Sequence, residues 1–430
     1  MASRERCGLH DEAGLGKTWQ TIRALDNAGL GRGIIIARAM LRHEWIVEHG
    51  RRATQQRKLI KGQTHHDFVA WKRGRFDVLL LSYEMATRWA IHFAELGEVL
   101  DFVILDEAHF LRNRLAGRTK AILGDGSDGP GGIIQWAMHA WHLTGTPMNK
   151  GPEDIYTFLR FAGATKMGPH AFASYFFEQP YKLQIERAAE LRQRIQSVAL
   201  RRTYTSVGAQ IPDIFYTQFL IEGDASKVKA YFDEHPGLDA RIVAALEAGN
   251  IAFVEAQHMM VVRRLCAEAK AVPFAAFLAD ALEAQEFDKV VVMGFHVAAL
   301  EIIHAKLQAA GLKGYLVNGA TKEKDRITAK TEFQENPDVR YFIGNSGTAG
   351  AGINLHAACH LFMFESEWNP GDNEQCIKRI RRIAQKRVQH ARFVTLAKSF
   401  DERVNGIIIE KTRRIATVQD ALELTLPLAS

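Results

Sequence analysis

Short runs of β-branched and aliphatic residues alternate with amphipathic stretches along most of the chain. Residues 34–36, 78–81, 102–105 and 141–143 read as strands, with helical patterns such as residues 19–27 between them. The same alternation returns at 290–293, 315–317, 341–343, 361–364 and 393–396. Strands that are apolar throughout and separated by helices predict parallel sheets covered on both faces. The chain therefore reads as an α/β protein with two sheet-containing halves. Between them, residues 151–285 are rich in helix formers, as at 186–199 and 225–266, and show few strand signals. They predict helical insertions on both halves. Gly208 and Pro212 place the break between the halves near 208–213, and the glycine-rich residues 124–132 predict a loop.

Composition narrows the function classes. Hydrophobic residues make up 47% of the 430 and charged residues 24%, as in ordinary soluble domains, which excludes disorder as the main state. Apolar runs such as 290–293 are strand-sized, far short of the roughly 18 residues of a membrane helix. The N-terminus has no apolar core of a secretory signal. Cys7, Cys266, Cys359 and Cys376 form no CxxC pair, so neither a disulfide scaffold nor a structural zinc is expected, and a reducing intracellular setting fits. Net charge is +6, from 55 Lys and Arg against 49 Asp and Glu. Its clustering says more than its size. Residues 375–392 hold Lys378, Arg379, Arg381, Arg382, Lys386, Arg387 and Arg392 and no acid. Taken alone, such a run is a solvated face.

Two motifs carry chemistry. The first is Asp11-Glu12-Ala13-Gly14-Leu15-Gly16-Lys17-Thr18. Glycines let backbone N–H groups approach a polyphosphate, the following helix aims its positive end at it, Lys17 reaches the β/γ-phosphates, and Thr18 meets Mg²⁺. A strict phosphate loop has Gly where this chain has Asp11. The second motif is the apolar run 102–105 followed by Asp106-Glu107-Ala108-His109. A buried strand ending in an acid pair suits Asp106 to Mg²⁺ and Glu107 to the attacking water. Together the motifs point to nucleotide hydrolysis. Trp71, Trp89 and Trp136 read as core residues and not as base-stacking platforms.

In order and spacing, these and later segments resemble the Swi/Snf family of superfamily-two helicase-like ATPases. DEAGLGKT is similar to that family's DEMGLGKT, which accounts for Asp11. Residues 34–45, 77–85, 105–113, 143–156 and 199–212 resemble its further first-half motifs, including DE[AS]H and LTGTP. In the second half, 294–307, 347–358 and 364–385 resemble motifs IV, V and the WNP…QAxxRxxRxGQ passage. The closest likeness is to the compact annealing-helicase branch. Three departures stand out. Only ten residues precede Asp11, where the family's adenine-reading Q motif lies well upstream. Ile383-Ala384-Gln385 stands where the family has Gly before Gln. Lys378 stands where the family often has an acid.

The resemblance implies two RecA-like domains: residues 1–213, ATP-binding, with a helical insertion at about 151–200, and residues 214–430, with an insertion at about 222–285. They would face each other across ATP. Gly14, Leu15, Gly16, Lys17, Thr18 and Gly352 would bind the nucleotide, and Thr18 and Asp106 the Mg²⁺. Glu107, Arg379, Arg382 and Gln385 would be catalytic, the arginines sharing one helix face if that segment is helical. Thr144, Thr146, Gly350 and Asn354 would couple nucleotide to DNA. The implied function is an ATP-dependent translocase on double-stranded DNA, blind to sequence because it tracks phosphates. A strand-separating DNA or RNA helicase and an inactive ATP-binding interaction module are the alternatives. The compact form suggests the cytoplasm of a bacterial or phage-infected cell.

Overall fold

The computed structural model describes residues 4–421 apart from 13, 97, 125–131, 146–153, 180–181, 209–211, 249–252, 350–352 and 383–384. The chain divides into two compact units, Met1–Ala209 and Gln210–Ser430.

In the first unit the strands are β1 (Arg6–Leu9), β2 (Gly33–Ile36), β3 (Leu59–Lys61), β4 (Val78–Leu81), β5 (Leu100–Asp106), β6 (Ala137–Leu143), β7 (Phe177–Gln179), β8 (Lys182–Leu183) and β9 (Ala199–Leu200). Seven of them form a wholly parallel sheet in the order β3-β4-β2-β5-β6-β1-β9, while β7 and β8 pair separately. Alternate residues serve opposite cores. Ile35, Leu80, Phe102 and Ile104 pack with α1 (Lys17–Asn27) and α2 (Arg42–Arg52). Ile34, Ile36, Leu79 and Val103 pack under α3 (His65–Lys72), α4 (Tyr83–Ala94), α5 (Gly117–Leu123), α6 (Ile155–Phe161), α7 (Pro169–Phe176) and α8 (Ile185–Val198). Covering both faces is what allows these strands to be apolar throughout. Trp71 and Trp89 lie in this core and Trp136 packs against it, as expected from the sequence.

The second unit is built the same way. Strands β10 (Ile214–Ile221), β11 (Val290–Gly294), β12 (Lys313–Val317), β13 (Val339–Asn345), β14 (His360–Met363) and β15 (Gln389–Leu396) run parallel in the order β10-β15-β14-β11-β13-β12. Helices α9 (Ser226–Asp233), α10 (Leu238–Ala248) and the long α11 (Phe253–Glu283) precede β11. They are followed by α12 (Val297–Ala309), α13 (Glu323–Glu335), α14 (Ser346–Ala349), α15 (Pro370–Ile377) and α16 (Phe400–Ala421). Val290 and Val292 pack on α11 and α12, and Val291 and Met293 pack towards α13, α15 and α16. Among the described residues no helix is long and apolar enough to cross a membrane.

Six strands depart from the sequence reading: β1, β3, β7, β8, β9 and β10. β10 lies within the stretch expected to be helical. Its alternating aromatic and β-branched residues make it an edge strand, with Phe215 and Leu220 exposed. β1, only four residues long with Gly8 inside it, sits between β6 and β9. Gly8 is there for space: a Cβ would lie 2.4 Å from His142 Nε2 and 2.8 Å from His10 Nε2.

Those two histidines are wholly buried, with ring centroids 4.9 Å apart, and His142 stacks on Phe158 at 4.8 Å. None of their ring nitrogens has a hydrogen-bond partner among the described residues. Burial pushes the His142 pKa down to about 3. Burial, followed by the charges of His142, Arg201 and Lys17, holds His10 well below the usual imidazole value. Both are therefore neutral when folded, and unfolding lets them protonate below about pH 6.5. The folded pKa is the lower one, so stability falls as pH drops from about 6.5 towards it, by up to about 1.4 kcal/mol per pH unit for each histidine. Urea unfolding between pH 7.5 and 5.5 should show His142→Phe losing less stability on acidification than the parent. Equal losses would contradict this account.

Candidate functional site

The first unit gathers its candidate residues at the C-terminal ends of central parallel strands, the rim where open α/β sheets bind ligands. In register, Leu9 lies opposite Leu143, and Leu143 opposite Asp106. The loop after β1 and the acid pair ending β5 thus leave the sheet at one level, two strand spacings or roughly 10 Å apart. Gly14 (φ 94°) and Gly16 (φ 79°) take left-handed conformations that favour glycine. Gly16 caps α1 and Lys17 opens it, so the first-turn N–H groups and the positive end of the helix face the loop. Gly14 is exposed, while Leu15, Gly16, Lys17 and Thr18 are half-buried. Lys17 Nζ donates to the carbonyls of Asp11 (2.9 Å) and Glu12 (3.3 Å).

The two acids that open the motif hold the loop in place. Asp11 is fully buried. Its carboxylate accepts from the Arg202 backbone N–H (2.9 Å), Arg202 Nε (3.1 and 3.2 Å), Arg202 Nη2 and Gln20 Nε2 (3.0 Å). Glu12 donates its N–H to the Arg202 carbonyl (3.0 Å) and accepts from the Tyr204 N–H (2.7 Å). The loop is thereby tied to the chain just beyond β9.

Asp106 is gripped from two sides. Trp45 Nε1 donates to its carboxylate (2.8 Å), and the Tyr83 hydroxyl donates to its carbonyl (2.7 Å). Burial and then Glu107 push the Asp106 pKa up to about 7, against the pull of the Trp45 hydrogen bond and the Lys17 charge. A buried carboxyl held so near neutrality fits a place for a divalent cation, which would restore its charge. Glu107 has φ 52° and ψ 48°, a left-handed conformation costing a non-glycine residue on the order of 1 kcal/mol. His109 Nδ1 lies 3.3 Å from Glu107 Oε2 and 3.3 Å from Thr144 Oγ1, linking the acid pair to the end of β6. Thr146 lies outside the described residues.

In the second unit, Gly350, Gly352, Ile383 and Ala384 lie outside the described residues. Asn354 is half-buried. The expectation of two arginines on one helix face is corrected. α15 ends at Ile377, and residues 378–380 form a turn in which the Arg379 N–H donates to Cys376 (3.1 Å) and the Ile380 N–H to Ile377 (3.2 Å). Arg379 is buried, and its carbonyl accepts from the Leu355 N–H (2.9 Å). Arg382 is half-buried near His356, whose pKa is lowered by burial and by the Arg382 charge. Gln385 is buried and donates to the carbonyls of His356 (3.0 Å) and Ala358 (2.8 Å), while its Oε1 accepts from the Arg387 N–H (3.1 Å). Arg379 and Gln385 are thus laced to residues 355–358. The basic run is not simply a solvated face, since Lys378 too is buried, 3.4 Å from Glu374.

Motif spacing does not reveal Trp45, Tyr83 or Arg202 as supports, nor a second cluster in the other unit. Buried Glu365 accepts from the N–H groups of Phe295 and His296 (both 2.8 Å) and meets His296 Nδ1 at 2.5 Å. Arg263 of α11 lies 3.6 Å from Glu365 and 3.4 Å from Glu367, which in turn accepts from the Ser346 hydroxyl. One signal was available: Glu365 follows its apolar strand much as Asp106 ends β5.

Residues 2–269 match the family model described as SNF2-related domain, and residues 274–384 match that of the helicase conserved C-terminal domain. The chain is 25% identical over 403 residues to the DNA annealing helicase and endonuclease ZRANB3 of Mus musculus, covering 88% of this chain and 36% of that protein. It is 23% identical over 454 residues to the ISWI chromatin-remodeling complex ATPase ISW2 of Saccharomyces cerevisiae, covering 94% and 38%. The chain thus spans less than two fifths of the length of these curated relatives. A solved structure, the Sulfolobus solfataricus SWI2/SNF2 ATPase core in complex with dsDNA, aligns with a TM-score of 0.41 and 18% identity, covering 99% of this chain and 93% of that one. The two curated relatives come from a mouse and a yeast and lend no support to a bacterial or phage source.

The Asp11 lacing gives a direct test. Arg202→Ala leaves a buried carboxylate without its cation, a change costing 3–5 kcal/mol when both partners are buried. Arg202 is 37% exposed, and solvent screening brings the expected loss to about 2 kcal/mol. Urea denaturation measures it, and a loss under about 0.5 kcal/mol would contradict the assigned role.

Proposed function

Because the chain belongs to the SNF2-related domain family, we propose that it is an ATP-hydrolysing motor that moves along duplex DNA without reading its sequence. The observation that carries this reading is the meeting on one sheet rim of the Lys17 loop with Asp106 and Glu107. Family membership supplies the DNA: the relatives are named as a DNA annealing helicase and a chromatin-remodeling ATPase.

On this reading residues 1–213 are the ATP-binding domain and residues 214–430 the C-terminal domain. The chain's division at 209/210 supports the boundary, although the first family model runs on through α9 and α10 to residue 269. Gly14, Leu15 and Gly16 present backbone N–H groups to the phosphates, and Lys17 exchanges its carbonyl partners for phosphate oxygens. Thr18 and Asp106 would hold Mg²⁺, which would offset the negative charge of the phosphate oxygens when bound. Glu107 orients and deprotonates the attacking water, and the His109 contact relays its position to Thr144. Arg382 stabilises the charge on the transferred phosphoryl group. Arg379 and Gln385 hold that segment against residues 355–358. Gly350, Gly352 and Asn354 belong to the loop that responds to nucleotide.

ATP turnover measured without nucleic acid, with duplex DNA, with single-stranded DNA and with RNA tests the reading. Stimulation by duplex DNA alone is expected. Lys17→Ala should abolish turnover with the fold intact, whereas Glu107→Gln should keep ATP binding and lose hydrolysis. Turnover by Lys17→Ala at the parental rate would sink the phosphate-loop assignment.

Arg382 has its own test at saturating duplex DNA. Loss of an arginine that stabilises phosphoryl charge lowers kcat by roughly 10³-fold or more in related phosphate-loop enzymes. Lysine should not restore it, because a point charge lacks the planar fork. Near-parental kcat with weakened DNA binding in both Arg382→Ala and Arg382→Lys would instead assign Arg382 to the DNA track.

A further inference from the structure

We infer that Trp19 is the platform on which the base of the bound nucleotide stacks, which makes it a specificity-determining residue of the phosphate-loop site and rests on that reading. The chain has seven tryptophans. Trp45, Trp71, Trp89 and Trp141 are buried, and Trp136 and Trp368 are half-buried. Trp19 alone falls in the exposed class, at 48%. Among the described residues its ring stacks on no aromatic or cationic side chain, and its indole N–H meets no acceptor. A side chain of this size ordinarily contributes through the large apolar area it covers and through a partner for its N–H. Here both are left to something outside the protein.

Its position says what that partner is. Trp19 stands in the first turn of α1, two residues after Lys17. Its ring lies against the loop: a Cβ placed on Gly16 would be 3.8 Å from Trp19 Cε3. The neighbouring polar side chains of the turn are already committed inward. Gln20 bonds to Asp11 (3.0 Å) and to the Leu15 carbonyl (2.7 Å), and Thr21 bonds to the Lys17 carbonyl (2.9 Å). Trp19 is left facing out beside the N–H groups that take the phosphates. A molecule anchored there by its phosphates and carrying a flat aromatic base meets both free features of the indole. The base covers the π-face, and the N–H is offered to a ring nitrogen or a sugar hydroxyl. Stacking of this kind recognises that a base is present more than which base it is, since every base has a π-face.

The test compares a ligand with a base against one without. Titration calorimetry in Mg²⁺ would give Kd for ADP and for inorganic pyrophosphate with the parent, Trp19→Ala and Trp19→Phe. Loss of one base–aromatic stack corresponds to roughly 5- to 100-fold in affinity. Trp19→Ala should lose that much for ADP while pyrophosphate binding stays unchanged, and Trp19→Phe should retain most of the ADP affinity. ADP affinity unchanged in Trp19→Ala overturns the inference alone, as does an equal loss for ADP and pyrophosphate, which would mean that the ring only props up the loop. If the parent binds neither compound, the phosphate-loop reading fails and takes this inference with it.

Discussion

A carboxylate without exposed surface governs the loop between β1 and α1. Asp11 is tolerable inside the first unit only because it is fully paired, since an isolated buried charge costs several kcal/mol. Its partners come from two directions. Gln20 belongs to α1, the helix that the loop feeds, and Arg202 follows β9 at the edge of the sheet. One side chain therefore fixes where the loop starts, how the helix sits beneath it, and which strand closes the sheet. Glycine at this position would leave Arg202 and Gln20 without their common acceptor. The left-handed turns at Gly14 and Gly16, and the placement of Lys17 over the carbonyls of Asp11 and Glu12, follow from that anchorage.

The two units repeat one plan and give it opposite electrostatics. Each places a buried acid where a central apolar strand ends, Asp106 after β5 and Glu365 just after β14. Around Asp106, burial and the neighbouring Glu107 outweigh one indole hydrogen bond and the Lys17 charge, and the carboxyl is pushed up. Around Glu365, burial also pushes upward, but the His296 hydrogen bond and the Arg263 charge outweigh it, and the pKa is lowered. The first acid is left short of positive charge, as suits a group that meets a cation carried in with its ligand. The second is satisfied by its own chain and serves as a clasp, joining α11 to the ends of β11, β13 and β14.

Much of this was legible along the chain because buried parallel strands announce themselves. Val78–Leu81 was read with both of its ends, and the other apolar runs fell inside or within a residue of strands that extend a little further. β10 was lost inside a helix-rich stretch because an edge strand keeps polar and exposed positions, and β1 because four residues with a central glycine leave no pattern. The Asp11–Thr18 and Asp106–His109 motifs stood out because the chemistry proposed for them needs fixed residue types at fixed spacing. Trp45, Tyr83 and Arg202 were not, because each acts by hydrogen bonds to a residue distant in sequence. The arginine spacing misled for a different reason. Three residues apart means one face only inside a helix, and this helix ends at Ile377, before the first arginine.

The anchorage of the loop after β1 has a consequence for how the protein is made. Among the described residues β1 pairs with β6 and β9, and Asp11 waits for an arginine 191 residues further on. At ribosomal rates of about 5–20 residues per second, the first strand emerges roughly 10 to 40 s before its last partner. Early in that interval the nascent chain carries a short strand with neither neighbour, and throughout it a carboxylate with no cation, which favours keeping both hydrated. The strand and loop that emerge before their partners are therefore among the last parts of the unit to take their native place, which they do when the edge of the sheet is closed.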